Sequence, residues 1–330
     1  MPDIKRILFL LVIILSFYLL YKLVEKRQAI IQEQPETEPE PEPFEVMSRI
    51  SESKNVTLPL KQYAIMSSWN SATDKHDQVS LATLDNVLLR GYRFIDLEIY
   101  SVDNKPHVGV STHRSFETME SKPLLFLDVV RRIISQGFTT KDPLFLHLRI
   151  KSKNPIIFEK MADIFVQECN TRLYSGKVKG STILSELQGK LIIIVDRNYF
   201  PQSETYKCIG SCKNDFTKLV NMYSGTPELE SMPFVQKLQQ PTQPLLKTTS
   251  GLTNVKKVKM VSHHMGSLNM EKNGPGFYTL LKNYSIQIFP QKVYYRDENL
   301  ILYEEFFANN GHRAFVPMSI AFEYIFNEVD

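Results

Sequence analysis

The chain has 330 residues, 43% hydrophobic and 23% charged, with a formal net charge of +3; this is an ordinary globular balance, with room for one large domain or two smaller ones. Three cysteines and seven scattered histidines exclude a disulfide framework and a zinc pattern. Nothing resembles the basic and aromatic arrays that bind nucleic acid.

The charge is unevenly spread: residues 1–27 carry +3, residues 28–45 carry six Glu and no base, and the remainder carries +6. A mild basic excess suits an anionic surface such as lipid headgroups, and equally a set of solvated lysines. From Ile7 to Tyr21 the chain is apolar without a charge, Gly or Pro. Continued to Val24, the run spans roughly 27 Å as a helix, close to the ~30 Å of a bilayer core. A cleaved signal peptide would end in small residues; this run ends in Tyr-Lys-Leu-Val-Glu-Lys. Residues 1–27 are therefore expected to form a single-pass membrane anchor with its flanks. Lysine and arginine on both sides leave its orientation open. In residues 28–56, alternating Glu and Pro repel and extend, predicting a semi-rigid linker.

From about residue 57 to 330, short strand-like pieces alternate with helical ones, as in a parallel α/β fold. Tyr63–Ser67 is a short apolar run. Leu81, Leu84 and Leu88 fall at helical spacing, with Gly91 as the stop. RFIDLEIY (93–100) alternates, with Phe94, Asp96 and Glu98 on one face and Ile95, Leu97 and Ile99 on the other. PHVG leads into Ser111-Thr112-His113. Leu124–Gln136 is helical, PLFLHLRI (143–150) alternates with His147 and Arg149 on one face, and a helix runs from about Pro155 to Leu173. LIIIVD (191–196) reads as a strand buried on both faces. Later strands are expected at Lys259–Ser262, Ser285–Phe289 and Ala314–Ser319. About eight strands with helices between them is the count of a (β/α)8 barrel. Residues 198–255, rich in Pro, Ser, Thr and Gln, read as an insertion with at most short helices. In it, Cys208 and Cys212 either pair or stay free. Two Asn-X-Ser/Thr triplets, at Asn55 and Asn283, fit an exposed lumenal face.

Asp96 and Glu98, paired on one strand face, suit a divalent cation or a positioned base. Ser67-Ser68-Trp69-Asn70 ends the preceding strand, so Asn70 and Trp69 are expected on the same rim. The same residues would also make a buried ion pair of Asp96 or Glu98 with Arg149. His76, His147 and the pair His263-His264 are further candidates for proton transfer.

The order of these pieces resembles the catalytic X and Y regions of the phosphoinositide-specific phospholipase C family. SSWNSA (67–72) stands at the family's Ser-Ser-His-Asn-Thr-like turn, GYRFIDLE (91–98) at its Gly-Cys-Arg-x-hydrophobic-Glu-Leu-Asp strand, and PHVGVSTH (106–113) at its His-Gly-His-Thr segment. FLDVVRRIISQGF, DPLFLHLRI and SELQGKLIII are similar to the following helix and two strands. SIQIFPQKVYYRDEN and FFANNGHRAFVPMSIAF are similar to the closing pieces. The resemblance covers residues 60–196 and 256–325.

It implies a phosphodiesterase acting on inositol phospholipids or a related phosphodiester. In that chemistry one histidine removes the inositol 2-hydroxyl proton and a second stabilises phosphate charge. Calcium, held by Asn, Asp and Glu, lowers the hydroxyl pKa. By position the metal set is Asn70, Asp96 and Glu98, the catalytic residues are His113 and Arg149, and Trp69 and Lys190 bind substrate. Two positions depart from the pattern. Trp69 replaces the first histidine, and indole cannot accept a proton near neutral pH. Arg149 replaces the last metal-binding Glu and competes with calcium for the same carboxylates. The expected functions are thus a membrane-anchored phosphodiesterase or a catalytically silent barrel that binds a phosphorylated headgroup or a protein. A glycerophosphodiester phosphodiesterase is a third reading, but the early paired histidines of those enzymes are missing.

Overall fold

The structure is a computed structural model that describes residues 15, 16, 18, 22, 50–111, 119, 121–199, 213–233, 247–248, 251–252, 255–262, 273 and 276–328. The chain divides into two compact units, Met1–Val46 and Met47–Asp330. In the first, Leu15, Ser16, Tyr18 and Lys22 are described, all helical and exposed. The rest of the expected anchor, and the Glu/Pro linker as far as residue 49, lie outside the described residues. Among the described residues no helix is long and apolar enough to cross a membrane.

The second unit is a mixed α/β fold. A 3-10 turn at Leu60–Gln62 leads into β1 (Tyr63–Ile65), β2 (Ser67–Ser68) and helix α1 (Leu81–Leu89). Ser80 caps α1 by accepting from the Thr83 amide at 3.1 Å. Leu84, Val87 and Leu88 form its buried face, and Gly91 follows at φ +90°. Next come β3 (Phe94–Val102), β4 (Lys105–Gly109), β5 (Leu124–Leu125), α2 (Phe126–Gln136), β6 (Leu144–Ile150), α3 (Ile156–Cys169) and β7 (Leu191–Asp196). The chain continues through α4 (Phe216–Leu219), β8 (Met222–Ser224), β9 (Leu229–Pro233), β10 (Lys247–Thr248), β11 (Gly251–Leu252) and β12 (Val258–Ser262). It ends with α5 (Phe277–Tyr284), α6 (Glu298–Asn309), β13 (Phe315–Pro317) and α7 (Met318–Glu328).

Seven strands, β2, β3, β6, β7, β8, β9 and β12, are joined side by side in parallel. LIIIVD and the inner parts of β3 and β6 are fully buried, as strands covered on both faces must be. The β3–β6 register sets Asp96 beside His147 and Glu98 beside Arg149. That pairing assembles the polar centre of the domain.

The architecture departs from the expected eight-strand barrel in four places. The PHVG segment is β4, which folds back antiparallel on β3 through Asp103 and Asn104, both left-handed, so it adds a hairpin rather than a barrel strand. Residues 198–255 supply β8 and β9 to the parallel sheet, where only short helices were expected. Residues 285–289 make no ladder; Ile288 forms single parallel bridges to Met260 and Ile65, and Gln291 forms one to Ser68. Residues 315–317 pair antiparallel with β1, and the chain turns helical at Met318. Among the described residues, no continuous ladder closes the sheet.

Ordered contacts begin before residue 57. Ser53 donates to Asp142 from both its amide (3.2 Å) and its hydroxyl (2.9 Å). Ser185 donates to Val56 (2.8 Å) and Leu60 to Thr182 (2.8 Å). Residues 51–62 thus lie as a strap across the N-terminal ends of the strands.

Candidate functional site

The polar centre lies on the other side of the sheet's mid-line from the strap, at Asp96 and Glu98 of β3 and His147 and Arg149 of β6, with Lys151 just beyond β6. The turn after β2 wraps Asp96. Asn70, held at φ +44°, donates its amide to Asp96 Oδ2 at 3.0 Å. Ser71 donates its amide to the Asp96 carbonyl (2.8 Å) and its hydroxyl accepts from the Asp96 amide (2.9 Å). Arg149 reaches into this turn from the neighbouring strand. Its Nε lies 3.0 and 3.2 Å from the two Asp96 oxygens, and its Nη2 lies 2.7 Å from Oδ2 and also bonds the Asn70 side-chain oxygen. Its Nη1 donates to Glu98 Oε1 at 2.5 Å. The other Glu98 oxygen accepts from the Tyr100 hydroxyl (2.5 Å), the Ser111 amide (3.2 Å) and the Lys151 ammonium (3.0 Å).

Asp96, Glu98, Arg149 and Lys151 all have 0% exposure. Burial alone would raise the Asp96 carboxyl, but the Arg149 guanidinium and His147 outweigh it and hold the group well below the usual carboxylate range. For Arg149, desolvation is overcome by Asp96 and Glu98, which hold the guanidinium firmly charged. Burial lowers the Lys151 ammonium despite its contact with Glu98. Asp196, at the end of β7, is raised by burial.

The Trp69 ring lies over the guanidinium, 3.7 Å from Cζ to the ring centroid, and Tyr199 lies at 5.8 Å. Trp69 therefore stacks on the cation where the resemblance expects an imidazole, and it is 4% exposed. His147 donates from Nδ1 to Asp96 Oδ1 (2.6 Å), and its Nε2 shares a hydrogen bond with the Ser224 hydroxyl (2.8 Å). Serine, histidine and carboxylate stand in the order of a nucleophilic relay, yet all three have 0% exposure. The chain of bonds thus holds the Asp96 carboxylate from within the core.

Of the residues expected at the site, Trp69, Asn70, Asp96, Glu98 and Arg149 are brought together. Lys190 is not: it precedes β7 at the opposite end, where its ammonium donates to the Thr171 carbonyl at 2.7 Å. His113 and the pair His263-His264 lie outside the described residues. His76 is exposed on its loop. Lys151, Tyr100 and Ser224 join the site without having been anticipated. Lys151 and Tyr100 each extend an alternation already visible, 147-149-151 and 96-98-100; Ser224 stands on a strand the sequence did not reveal.

Calcium requires six to eight oxygen ligands at about 2.3–2.6 Å. Here both oxygens of Asp96 and of Glu98 are engaged by Arg149 and by further donors, and the Asn70 oxygen faces the guanidinium. Among the described residues no cluster of three or more His, Cys, Asp or Glu is arranged to hold a metal ion. The donor set does not fit calcium; the guanidinium fills the place between the carboxylates. The expected ion pair is what forms, and it engages both carboxylates at once.

Residues 56–197 match the family model "Phosphatidylinositol-specific phospholipase C, X domain". Over those residues the chain is similar to the X domain of phosphatidylinositol-specific phospholipase C. Among solved structures, PLC21 of S. officinalis aligns with TM-score 0.63 at 17% identity, over 84% of this chain and 39% of that one. PLC21 of L. pealei aligns with TM-score 0.61 at 17% identity, over 82% and 38%. The chain thus spans about two fifths of the length of either, and at such identity the likeness concerns the fold alone. A calcium-dependent phosphoinositol-specific phospholipase C from Pseudomonas sp. aligns at 10% identity over 81% and 98%, with TM-score 0.47, too low to weigh. No curated protein sequence matches the chain.

Proposed function

We propose that the chain is a membrane-anchored, phospholipase C-like phosphoric diester hydrolase. Its substrate is an inositol phospholipid or a related phosphodiester, and the Arg149 guanidinium stands where calcium would otherwise serve. One observation carries this reading: the Arg149 guanidinium is held by Asn70, just after β2, and by Asp96 and Glu98 of β3, toward the end of the parallel strands where such folds place chemistry. A planar guanidinium suits phosphate oxygens by charge and geometry. We assign proton transfer to His113, two residues beyond Ser111, whose amide is tied to Glu98. We also infer that the sheet closes as an eight-stranded barrel with residues 286–291 as its irregular eighth strand; the bridges of Ile288 and Gln291 support this. The apolar run 7–24 would hold the chain in the bilayer.

Trp69 favours a second reading, a catalytically silent barrel that binds the headgroup. The indole takes the base's position, cannot accept a proton, and covers one face of the guanidinium.

Release of inositol phosphate from phosphatidylinositol vesicles by the full chain, with and without a chelator, separates the two. Turnover that survives chelation and is lost in His113→Ala supports the hydrolase. Turnover that requires calcium overturns the guanidinium assignment. Trp69 is the one tryptophan of the chain, so its emission reports on the surroundings of the Arg149 guanidinium. A change on adding vesicles without turnover supports the silent binder, and neither signal removes both readings.

A further inference from the structure

We propose that Asn55 is an N-glycosylation site, and that Asn283, which carries the same kind of triplet, is not modified. Asn55-Val56-Thr57 and Asn283-Tyr284-Ser285 are equivalent as acceptor sequences, but the fold treats them in opposite ways. Asn55 and Thr57 are both exposed. Asn55 sits at φ +58° in a turn where its carbonyl accepts from the Leu58 amide (3.3 Å) and from the Tyr63 hydroxyl. Those bonds fix the backbone of a short loop in the strap; Val56 packs against the core, while the Asn55 and Thr57 side chains are exposed.

Asn283 lies in the last turn of α5. The next two residues belong to the core: Tyr284 is 7% exposed and Ser285 0%. The Ser285 hydroxyl is buried without a hydrogen-bond partner. In the folded domain that triplet offers no hydroxyl to an enzyme, whereas both functional groups of the first triplet are presented.

The co-reactant is a lipid-diphosphate-linked oligosaccharide. The Asn55 side-chain nitrogen forms a bond to the anomeric carbon, the bond from that carbon to the diphosphate oxygen breaks, and the lipid diphosphate leaves. The displaced amide proton passes to a base of the transferring enzyme. Asn55 is in the strap at the N-terminal ends of the strands, whereas Trp69 and Arg149 stand toward the C-terminal ends, so a bulky glycan at Asn55 stays away from the Trp69 side of the domain. The proposal does not depend on the phosphodiester reading.

The test is expression of the full chain in eukaryotic cells, followed by peptide N-glycosidase treatment. The expected result is one mobility step on deglycosylation, absent in Asn55→Gln and in Thr57→Ala. The step persists in Asn283→Gln and in Thr57→Ser, which keeps the hydroxyl. Absence of any step in the natural chain, or a step that persists in Asn55→Gln, overturns the proposal. Because Thr57 is exposed and lies outside the left-handed backbone at Asn55, Thr57→Ala should melt with the natural chain, so its lost step is not a folding artefact.

Discussion

Arg149 and Lys151 bring two positive charges to a place where Asp96 and Glu98 bring two negative ones, all without solvent exposure. Such a cluster is stable only while it is complete, because one lost partner strands the opposite charge in a dry site. Arg149→Met should therefore destabilise the domain by about 3–5 kcal/mol in denaturant unfolding. Adding Asp96→Asn should recover part of that loss, since it removes a stranded charge. The depressed Asp96 carboxyl sets a pH dependence with a definite sign. Its folded pKa lies below its unfolded value of about 3.9. The contribution is therefore present above that value and is lost as pH falls below it toward the folded pKa. A pH series of melting temperatures should show this acid-side slope in the natural chain and a shallower one in Asp96→Asn. Calcium should leave the natural melting temperature unchanged. Arg149→Glu, with a third carboxylate facing Asn70, should make it rise with calcium. Much of this site was legible because strand alternation is strict: two alternating runs put Asp96, Glu98, His147 and Arg149 on two faces, and only the partnering remained open. The Gly-Lys pattern at residues 189–190 misled, since it marks the start of a strand and the chemistry gathers at its end.

Long apolar strands and periodic helices were readable at the level of elements, with β7 and α2 close to their expected bounds. The failures share a physical cause. β8 and β9 have three and five residues, too short for periodicity, and they lie in a polar stretch. The place of β8 in the sheet is secured by Asn221, just before it, rather than by an apolar run. The Asn221 side-chain oxygen accepts from the Ile193 amide (2.7 Å), and its nitrogen donates to Tyr174 (2.9 Å) and Gly176 (2.7 Å). Asn221→Ala should cost about 3 kcal/mol in unfolding free energy, since it leaves several buried backbone groups without partners. The β3–β4 hairpin was hidden in Asp103-Asn104, residues that adopt left-handed turns and carry no hydrophobic signal. At the end of α3, burial and the neighbouring Glu168 push the Cys169 thiol up to about 12. With Cys208 and Cys212 replaced by Ser, Cys169 should resist alkylation at neutral pH until the domain unfolds.

For the whole molecule, the α/β class followed from the alternation of elements, while the closure proposed above could not, because residues 286–291, on which it rests, form isolated bridges and no ladder. The anchor reading belongs to this scale as well. The full chain should sediment with membranes and resist alkaline extraction, and deletion of residues 1–27 should release it; a full chain that washes off would remove the anchor from the account. The strap has a practical consequence. Since the chain enters the domain beside Ser53 and Asp142, at the far pole from Trp69 and Arg149, a biosensor surface that grips the protein ahead of Ile50 leaves the Trp69 side of the domain turned toward the flowing analyte. Weak ligands can then be titrated over an immobilised layer without the attachment itself blocking their approach.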